Sequence, residues 1–449
     1  MLTHLRERLG AKVVTEVEVL EAHGQDRNYP QVYPPLAVVF AETVADIQEA
    51  LAWARTENVP VIPYGGGSSL EGQLTPQGPA LSLDLSRMKR VLAIRPEDFL
   101  VEVEPGITRE ELNATIEQTG LFFPVDPGAN ATLGGMASTN ASGTTTVRYG
   151  GMRQNIAEMD VVLASGELLT LGRSVRKTSS GYDLKDIFIG SAGTLGIVTR
   201  LVLRLYPIPT FVHTLRVFFP GLREASEAAY RIMASALPVA RLELLDELSL
   251  GFINRDQGQH YLEKPALFLE FHSSSTQAMD EEARLAEQLM REANALEIDT
   301  ARSAEERAIQ WEARHNFYWA VLRCNPGCLH YTTDTAVPLS RVTDLVLYAQ
   351  HLLQEMKLNG CIIGHVGDGN FHTAIAVQPD QWNLAEDYSL RLTKRALELG
   401  GTATGEHGIG LVKKRFLREE HGAAVEWMRQ LKRLFDPQGV LNPGKIFDL

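Results

Sequence analysis

Two histidines and a glutamate carry the clearest chemistry in the chain. The stretch Gly364-His365-Val366-Gly367-Asp368-Gly369-Asn370-Phe371-His372 sets Asp-Gly between strand-like residues. Asp-Gly in that setting predicts a tight hairpin, because both central turn positions need φ > 0. With Asp368-Gly369 as the turn, His365 faces His372. Directly opposed residues put their Cβ atoms about 4.5–5.5 Å apart. Two imidazoles so placed can close on one divalent metal at about 2.0–2.1 Å per nitrogen. The plain alternative is a pair of ordinary polar strand residues. Downstream, Glu406-His407 stands between Gly405 and Gly408, and glycines let a backbone approach a ligand closely. Two His and one Glu make a common catalytic metal set with a position left open to substrate. His365, His372 and Glu406 are therefore candidate ligands, and His407 a neighbouring base. A solvated loop is the alternative for residues 406–407.

A cation completes the inventory. The pattern over 303–323 predicts a helix with Trp311, Arg314, Phe317, Tyr318 and Val321 at three-to-four spacing. Arg314 thus falls on the apolar, aromatic face, where an arginine either snorkels or grips an anion such as a substrate carboxylate.

Three loops in the N-terminal half suit phosphates. Gly65-Gly66-Gly67-Ser68-Ser69-Leu70-Glu71-Gly72 follows a predicted strand at 59–64, and such loops can turn backbone N–H groups toward a phosphate. The spacing matches neither the dinucleotide fingerprint nor the P-loop. The run 126–143 is small, polar and nearly chargeless, as suits backbone wrapped closely around a bulky ligand. A third Gly/Ser/Thr loop, 190–199, runs into an apolar strand. Together they point to a nucleotide-type cofactor.

The elements between these motifs give an α+β pattern. An apolar strand at 37–40 precedes a helix opened by Thr43 and Asp46, a capping-box pair. Thr108 and Glu111 repeat that signal before a helix ending at Gly120. A strand pair over 159–172 turns at Ser165-Gly166. Pro207-Ile208-Pro209 marks a linker. Beyond it, strands at 212–219 and 266–272 alternate with charged helices near 221–236, 276–296 and 303–323. The boundaries expected are 1–208, 209–400 and a C-terminal segment, 401–449, returning to the first domain and the active site.

Composition narrows the class. The chain has 449 residues, 44% hydrophobic and 22% charged, with 43 Lys+Arg against 56 Asp+Glu for a net charge of −13. That surface repels nucleic acid and anionic lipid. No apolar run is long enough to span a bilayer, and the first residues do not read as a signal peptide. The cysteines, Cys324, Cys328 and Cys361, suit a reducing compartment and cannot supply an iron–sulfur set. A cytoplasmic location is expected, with docking to a membrane partner left open.

Taken together, these motifs resemble the FAD-linked 2-hydroxy-acid dehydrogenases of the vanillyl-alcohol-oxidase-type flavoprotein group. Trp311-Glu312-Ala313-Arg314-His315-Asn316, Asn325-Pro326-Gly327-Cys328 and Thr333-Asp334-Thr335-Ala336-Val337-Pro338 are most similar to the flavin D-lactate dehydrogenase branch. The resemblance implies a two-subdomain FAD-binding domain and an α+β cap domain with antiparallel sheet. It implies non-covalent FAD against Gly65, Gly66, Gly67, Ser68 and Ser69 of the first loop. From the second loop it implies Asp126, Pro127, Gly128, Thr132, Gly134, Gly135, Ser138, Asn140 and Gly143. From the third and the C-terminus it implies Gly193, Thr194, Ile197 and Asn442. It also implies a divalent metal, Zn or Mn, on His365, His372 and Glu406, with His407 as base and Arg314 on the substrate carboxylate. Ala192 departs from the pattern, which usually has Glu there.

The activity implied is oxidation of a D-2-hydroxy acid, D-lactate to pyruvate foremost, with glycolate and D-2-hydroxyglutarate as alternative substrates. The reduced flavin needs an external acceptor: quinone, cytochrome, electron-transfer flavoprotein or oxygen. A homodimer is compatible with this reading. Outside the class, a metal-dependent hydrolase on the same His/His/Glu set, or a flavin subunit without catalysis, are the competing readings.

Overall fold

The computed structural model describes residues 2–301 and 303–448. Contacts divide the chain into two units. The first comprises Met1–Gly143, Gly150–Ile208 and Glu406–Leu449; the second comprises Thr144–Tyr149 and Pro209–Gly405.

The first unit holds two sheets over separate cores. In the four-stranded sheet, Ala37–Phe40, Leu81–Asp84 and Val61–Tyr64 run parallel, and Val13–Val14 adds an antiparallel edge. The helix Val44–Glu57 covers it with Ile47, Ala50, Leu51 and Ala54. Its start is the expected capping box: Thr43 Oγ1 accepts from Asp46 N and Asp46 Oδ2 from Thr43 N. Such a box satisfies two backbone donors that the helix itself leaves unpaired.

The five-stranded sheet is antiparallel, in the order Val91–Arg95, Leu100–Val103, Ile197–Arg204, Ile156–Val162, Leu168–Gly172. Its core takes Leu112 and Ile116 from the helix Arg109–Ile116, which opens with the expected Thr108/Glu111 box. The run 126–143 is not all loop. Its middle coils into a helix, Leu133–Thr139, ended by Asn140 at φ +54°.

The second unit is built on an eight-stranded antiparallel sheet. Its order is Glu297–Ala301, Phe211–Phe218, Ala266–Ser273, Val239–Leu245, Asn359–Gly364, Asn370–Val377, Leu329–Thr332, with Thr335–Ala336 pairing beside Asn370–Val377. Helices cover both faces. Leu222–Ala234, Thr276–Glu292, Val342–Met356 and Trp382–Glu398 pack on one; Glu247–Gln257, Ala304–His315 and Phe317–Cys324 pack on the other. Burial on both faces explains why central strands read as continuous apolar runs rather than alternating ones. The single helix expected over 303–323 is two helices meeting at Asn316, whose φ −79°, ψ 2° breaks the ladder. Among the described residues, no helix is long and apolar enough to cross a membrane.

Candidate active site

The histidine pair forms within the second unit, by a different route from the one expected. Strand pairing sets Ile363, not His365, opposite His372. Residues 366–368 form a 3-10 turn, closed by Asp368 N to His365 O at 2.9 Å and Asn370 N to His365 O at 3.2 Å. Only Gly369, at φ +80°, is left-handed. A Cβ there would sit 2.1 Å from the Val337 carbonyl oxygen, and Val337 N donates to Gly369 O at 3.0 Å, so a segment far along the chain packs directly on the turn. The wider loop still turns His365 back toward His372. The ring centroids are 5.6 Å apart and nearly perpendicular, and a ring nitrogen of each lies within 4.8 Å of the other's.

Both rings are oriented through Nδ1. His365 Nδ1 lies 2.5 Å from Glu243 Oε1, and His372 Nδ1 lies 3.0 Å from the Thr333 carbonyl oxygen. An oxygen acceptor at Nδ1 fixes the proton there and gives Nε2 the ligating lone pair. Two such imidazoles suit a divalent metal.

Arg314 joins the same cluster through Glu243. Its Nε and Nη2 lie 2.8 and 2.7 Å from Glu243 Oε2. Arg314 is buried along with Trp311, Phe317 and Val321, as the aromatic stripe predicts. Glu243 is fully buried, which raises its pKa, but its contacts with His365 and Arg314 outweigh this and hold it below the usual range.

Buried Asp334 ties the segment that precedes Glu406 to the strand carrying His372. Its Oδ1 accepts from Asn370 Nδ2 at 2.7 Å. Its Oδ2 accepts from Thr404 Oγ1 at 2.7 Å and Gly405 N at 2.8 Å. A Cβ on Gly405 would fall 2.2 Å from Asn370 Nδ2. Glu406 is the next residue along the chain.

Within the first unit, the three glycine loops and the C-terminus come together. A Cβ on Gly65 would meet Thr132 Oγ1 at 2.4 Å, and one on Gly193, at φ +68°, would meet Pro63 Cγ at 2.5 Å. A Cβ on Gly134 would strike Pro105 and one on Gly143 the Asp126 carbonyl. Ala192 N bonds Ser138 O at 2.8 Å, and Asn442 Nδ2 bonds Ala192 O at 2.7 Å. Ser69 Oγ bonds Gln73 Oε1, and Thr194 Oγ1 bonds Ser191 O at 2.7 Å. Ser68 follows Gly67 in the first loop, Pro127 and Gly128 open the second, and Ile197 begins its strand. Two buried oxygens here, Thr132 Oγ1 and Asn442 Oδ1, have no hydrogen-bond partner among the described residues. Buried polar atoms in native proteins are nearly always satisfied. A closely wrapped glycine cradle with two such atoms fits a polar, phosphate-bearing cofactor.

The first unit also holds His407. Its Nδ1 lies 3.3 Å from Glu71 Oε1, and its carbonyl accepts from Gln73 Nε2 at 2.6 Å. Glu406 Oε2 accepts from Ser142 Oγ at 2.9 Å. Glu71 and Glu243 are the two residues that the motifs did not single out. For Glu243 the signal was present: Arg241 and Glu243 alternate with apolar residues in a stretch otherwise fit for a buried strand.

Closely packed glycine loops beside a parallel and an antiparallel sheet suit a nucleotide-binding fold. Comparison with known proteins agrees. Residues 35–172 match the FAD binding domain, and 208–446 match the FAD linked oxidases, C-terminal domain. A probable mitochondrial D-lactate dehydrogenase of Danio rerio is 41% identical over 96% of this chain and 88% of its own length. A mitochondrial D-lactate dehydrogenase [cytochrome] of Arabidopsis thaliana is 37% identical over 99% and 80%. The structure of a 4-ethylphenol oxidase from Gulosibacter chungangensis, at 17% identity, superposes with a TM-score of 0.81 over 100% of this chain and 97% of its own, which shows a shared fold. The chain belongs to the family of FAD-linked oxidases, with the two-domain FAD-binding fold of the vanillyl-alcohol-oxidase type. The resemblance drawn from the motifs is borne out, and FAD is the cofactor.

Proposed function

We propose that the protein oxidises D-lactate to pyruvate, with FAD as first electron acceptor and His365, His372 and Glu406 as ligands of a divalent metal, Zn or Mn. When bound, FAD accepts a hydride equivalent from the substrate Cα, and the metal acts as a Lewis acid on the hydroxyl. The protein's residues do the rest. Arg314 pairs with the substrate carboxylate and so selects the face presented to the flavin. His407 takes the hydroxyl proton, as an imidazole titrating near working pH can. Glu71 holds the His407 ring through Nδ1, directing Nε2 to that task. The electrons leave to an external acceptor; a cytochrome, named for the Arabidopsis relative, is the first to test.

One observation carries this reading: Arg314 and the His365–His372 pair fall in one buried, hydrogen-bonded cluster. A 2-hydroxy acid offers the matching chemistry, a carboxylate for the cation and an adjacent hydroxyl for the metal. Family membership gives the glycine loops a cofactor, against the hydrolase alternative. The test is turnover with an artificial electron acceptor on D-lactate, L-lactate, glycolate and D-2-hydroxyglutarate. D-lactate is expected to give the highest kcat/KM. A higher value for another acid would keep the chemistry and replace the substrate.

A further inference from the structure

Glu243 is named by none of the motifs, yet both of its oxygens are engaged in the second unit's cluster. It lies on Val239–Leu245, a central strand between Ala266–Ser273 and Asn359–Gly364. The register pairs Leu244 with Gly364 and Leu245 with Ile363. Continued by one residue, that register sets Glu243 opposite His365. Leu242 and Leu244 point into the core on one face of the sheet. Glu243 alternates with them and meets the helix Ala304–His315, which carries Arg314, on the other.

Its two oxygens have separate duties. Oε1 takes the His365 Nδ1–H, and Oε2 takes both Nε–H and Nη2–H of Arg314. We propose that Glu243 is a positioning residue that locks the substrate-carboxylate clamp, Arg314, at a fixed separation from the metal ligand His365. The proposal rests on the functional reading above. It adds that the two groups act as one gauge, matched to the short spacing between the carboxylate and hydroxyl of a 2-hydroxy acid.

The chemistry explains why a carboxylate is needed. Three N–H groups converge on one side chain, and only an ionised carboxylate accepts from all of them. A glutamine has a single acceptor oxygen and would turn its own N–H groups on either the imidazole or the guanidinium. An aspartate, one methylene shorter, reaches one partner but not both. A second consequence concerns Arg314. With its Nε/Nη2 edge held by Glu243, it keeps the end-on Nη1/Nη2 edge for the substrate carboxylate. Lysine cannot serve both contacts.

The experiment uses the full-length holoenzyme and the variant Glu243→Gln. Metal affinity is read by titration calorimetry with Mn2+ or Zn2+, and KM and kcat for D-lactate are read at saturating metal. The expected loss of metal affinity is roughly 10–100-fold, as for other residues that orient a metal ligand. KM for D-lactate should stay raised, on the order of tenfold, when metal is saturating, because Arg314 has also lost its anchor. Unchanged metal affinity would overturn the proposal. So would a KM restored to wild type by excess metal, since Glu243 would then serve His365 alone. If Glu243→Gln does not retain FAD, Glu243→Asp decides. It should keep one of the two properties and lose the other, whereas both at wild-type values overturn the proposal. Wild-type protein that binds no metal and is not reduced by any 2-hydroxy acid would instead overturn the functional reading, and this inference with it.

Discussion

His407 and Glu71 form a carboxylate–imidazole pair across 336 positions of sequence, with Nδ1 3.3 Å from Oε1. The same oxygen lies 3.0 Å from Lys413 Nζ, and Glu71 and Lys413 are both buried. Glu71 is itself fixed through its backbone, which bonds Gln73 Oε1 and Leu411 N. The imidazole is therefore held by a rigid carboxylate, the arrangement that orients a general base in many hydrolytic triads.

Replacing the base should remove chemistry and leave the cofactor. His407→Ala is expected to lower kcat by about 10²–10⁴-fold while flavin absorbance stays at wild-type stoichiometry. Glu71→Gln should produce a smaller loss of the same kind, with KM little changed. Rapid-mixing flavin reduction reads both. Wild-type rates in His407→Ala would remove it from the mechanism.

The metal makes a separable prediction. His365→Ala and His372→Ala should each lose metal and turnover together while retaining FAD. Chelation of wild-type protein should abolish activity, and Mn2+ or Zn2+ should restore it. Elemental analysis decides: a variant with one full equivalent of metal would dismiss that residue as a ligand.

The third glycine loop offers a pair of opposite signs. Ala192 sits at φ +53° and Gly193 at φ +68°. A left-handed conformation costs a non-glycine residue roughly 1–2 kcal/mol. Ala192→Gly should therefore leave thermal stability equal or higher. Gly193→Ala acquires that strain and a Cβ 2.5 Å from Pro63, so FAD affinity should fall by on the order of tenfold. Fluorescence titration with FAD measures it.

Lys445 gives a pH dependence. Burial lowers its pKa to about 7, although Asp26 opposes the shift, while Nζ donates to the Gly72 and Thr75 carbonyls. Between about 7 and the ordinary lysine value, the unfolded chain binds a proton that the folded one has released. Stability from this group therefore rises with pH through that window, by at most about 1.4 kcal/mol per unit. Melting at pH 7 and pH 9.5, with FAD saturating, should show wild type gaining on Lys445→Met at the higher pH. An equal difference at both would contradict the shift.

What the sequence disclosed was local. Thr43/Asp46 and Thr108/Glu111 box their helices because a cap depends on residues three apart. Arg314 could be placed on a buried face because Trp311, Phe317 and Val321 recur at helical spacing. The hairpin register differs from the one Asp-Gly predicts, and Gly369 packs against Val337, a contact that no turn propensity encodes. Glycine, serine and threonine over 133–139 are poor helix formers and read as loop, yet burial of Leu133, Met136 and Ala137 overrides propensity. No local pattern names Glu243 or Glu71, because their partners lie 71, 122 and 336 residues away. Glu243 shows only as a charge in an otherwise apolar strand, and Glu71, in a loop, does not show at all until the fold delivers its partners.

The most direct test of the central claim is an anaerobic visible spectrum of the purified holoenzyme, before and after D-lactate, with L-lactate, glycolate and D-2-hydroxyglutarate in parallel. The flavin band should be present and should bleach fastest with D-lactate. Protein that stays colourless after incubation with FAD, or a flavin band that none of the four acids bleaches, would contradict the account.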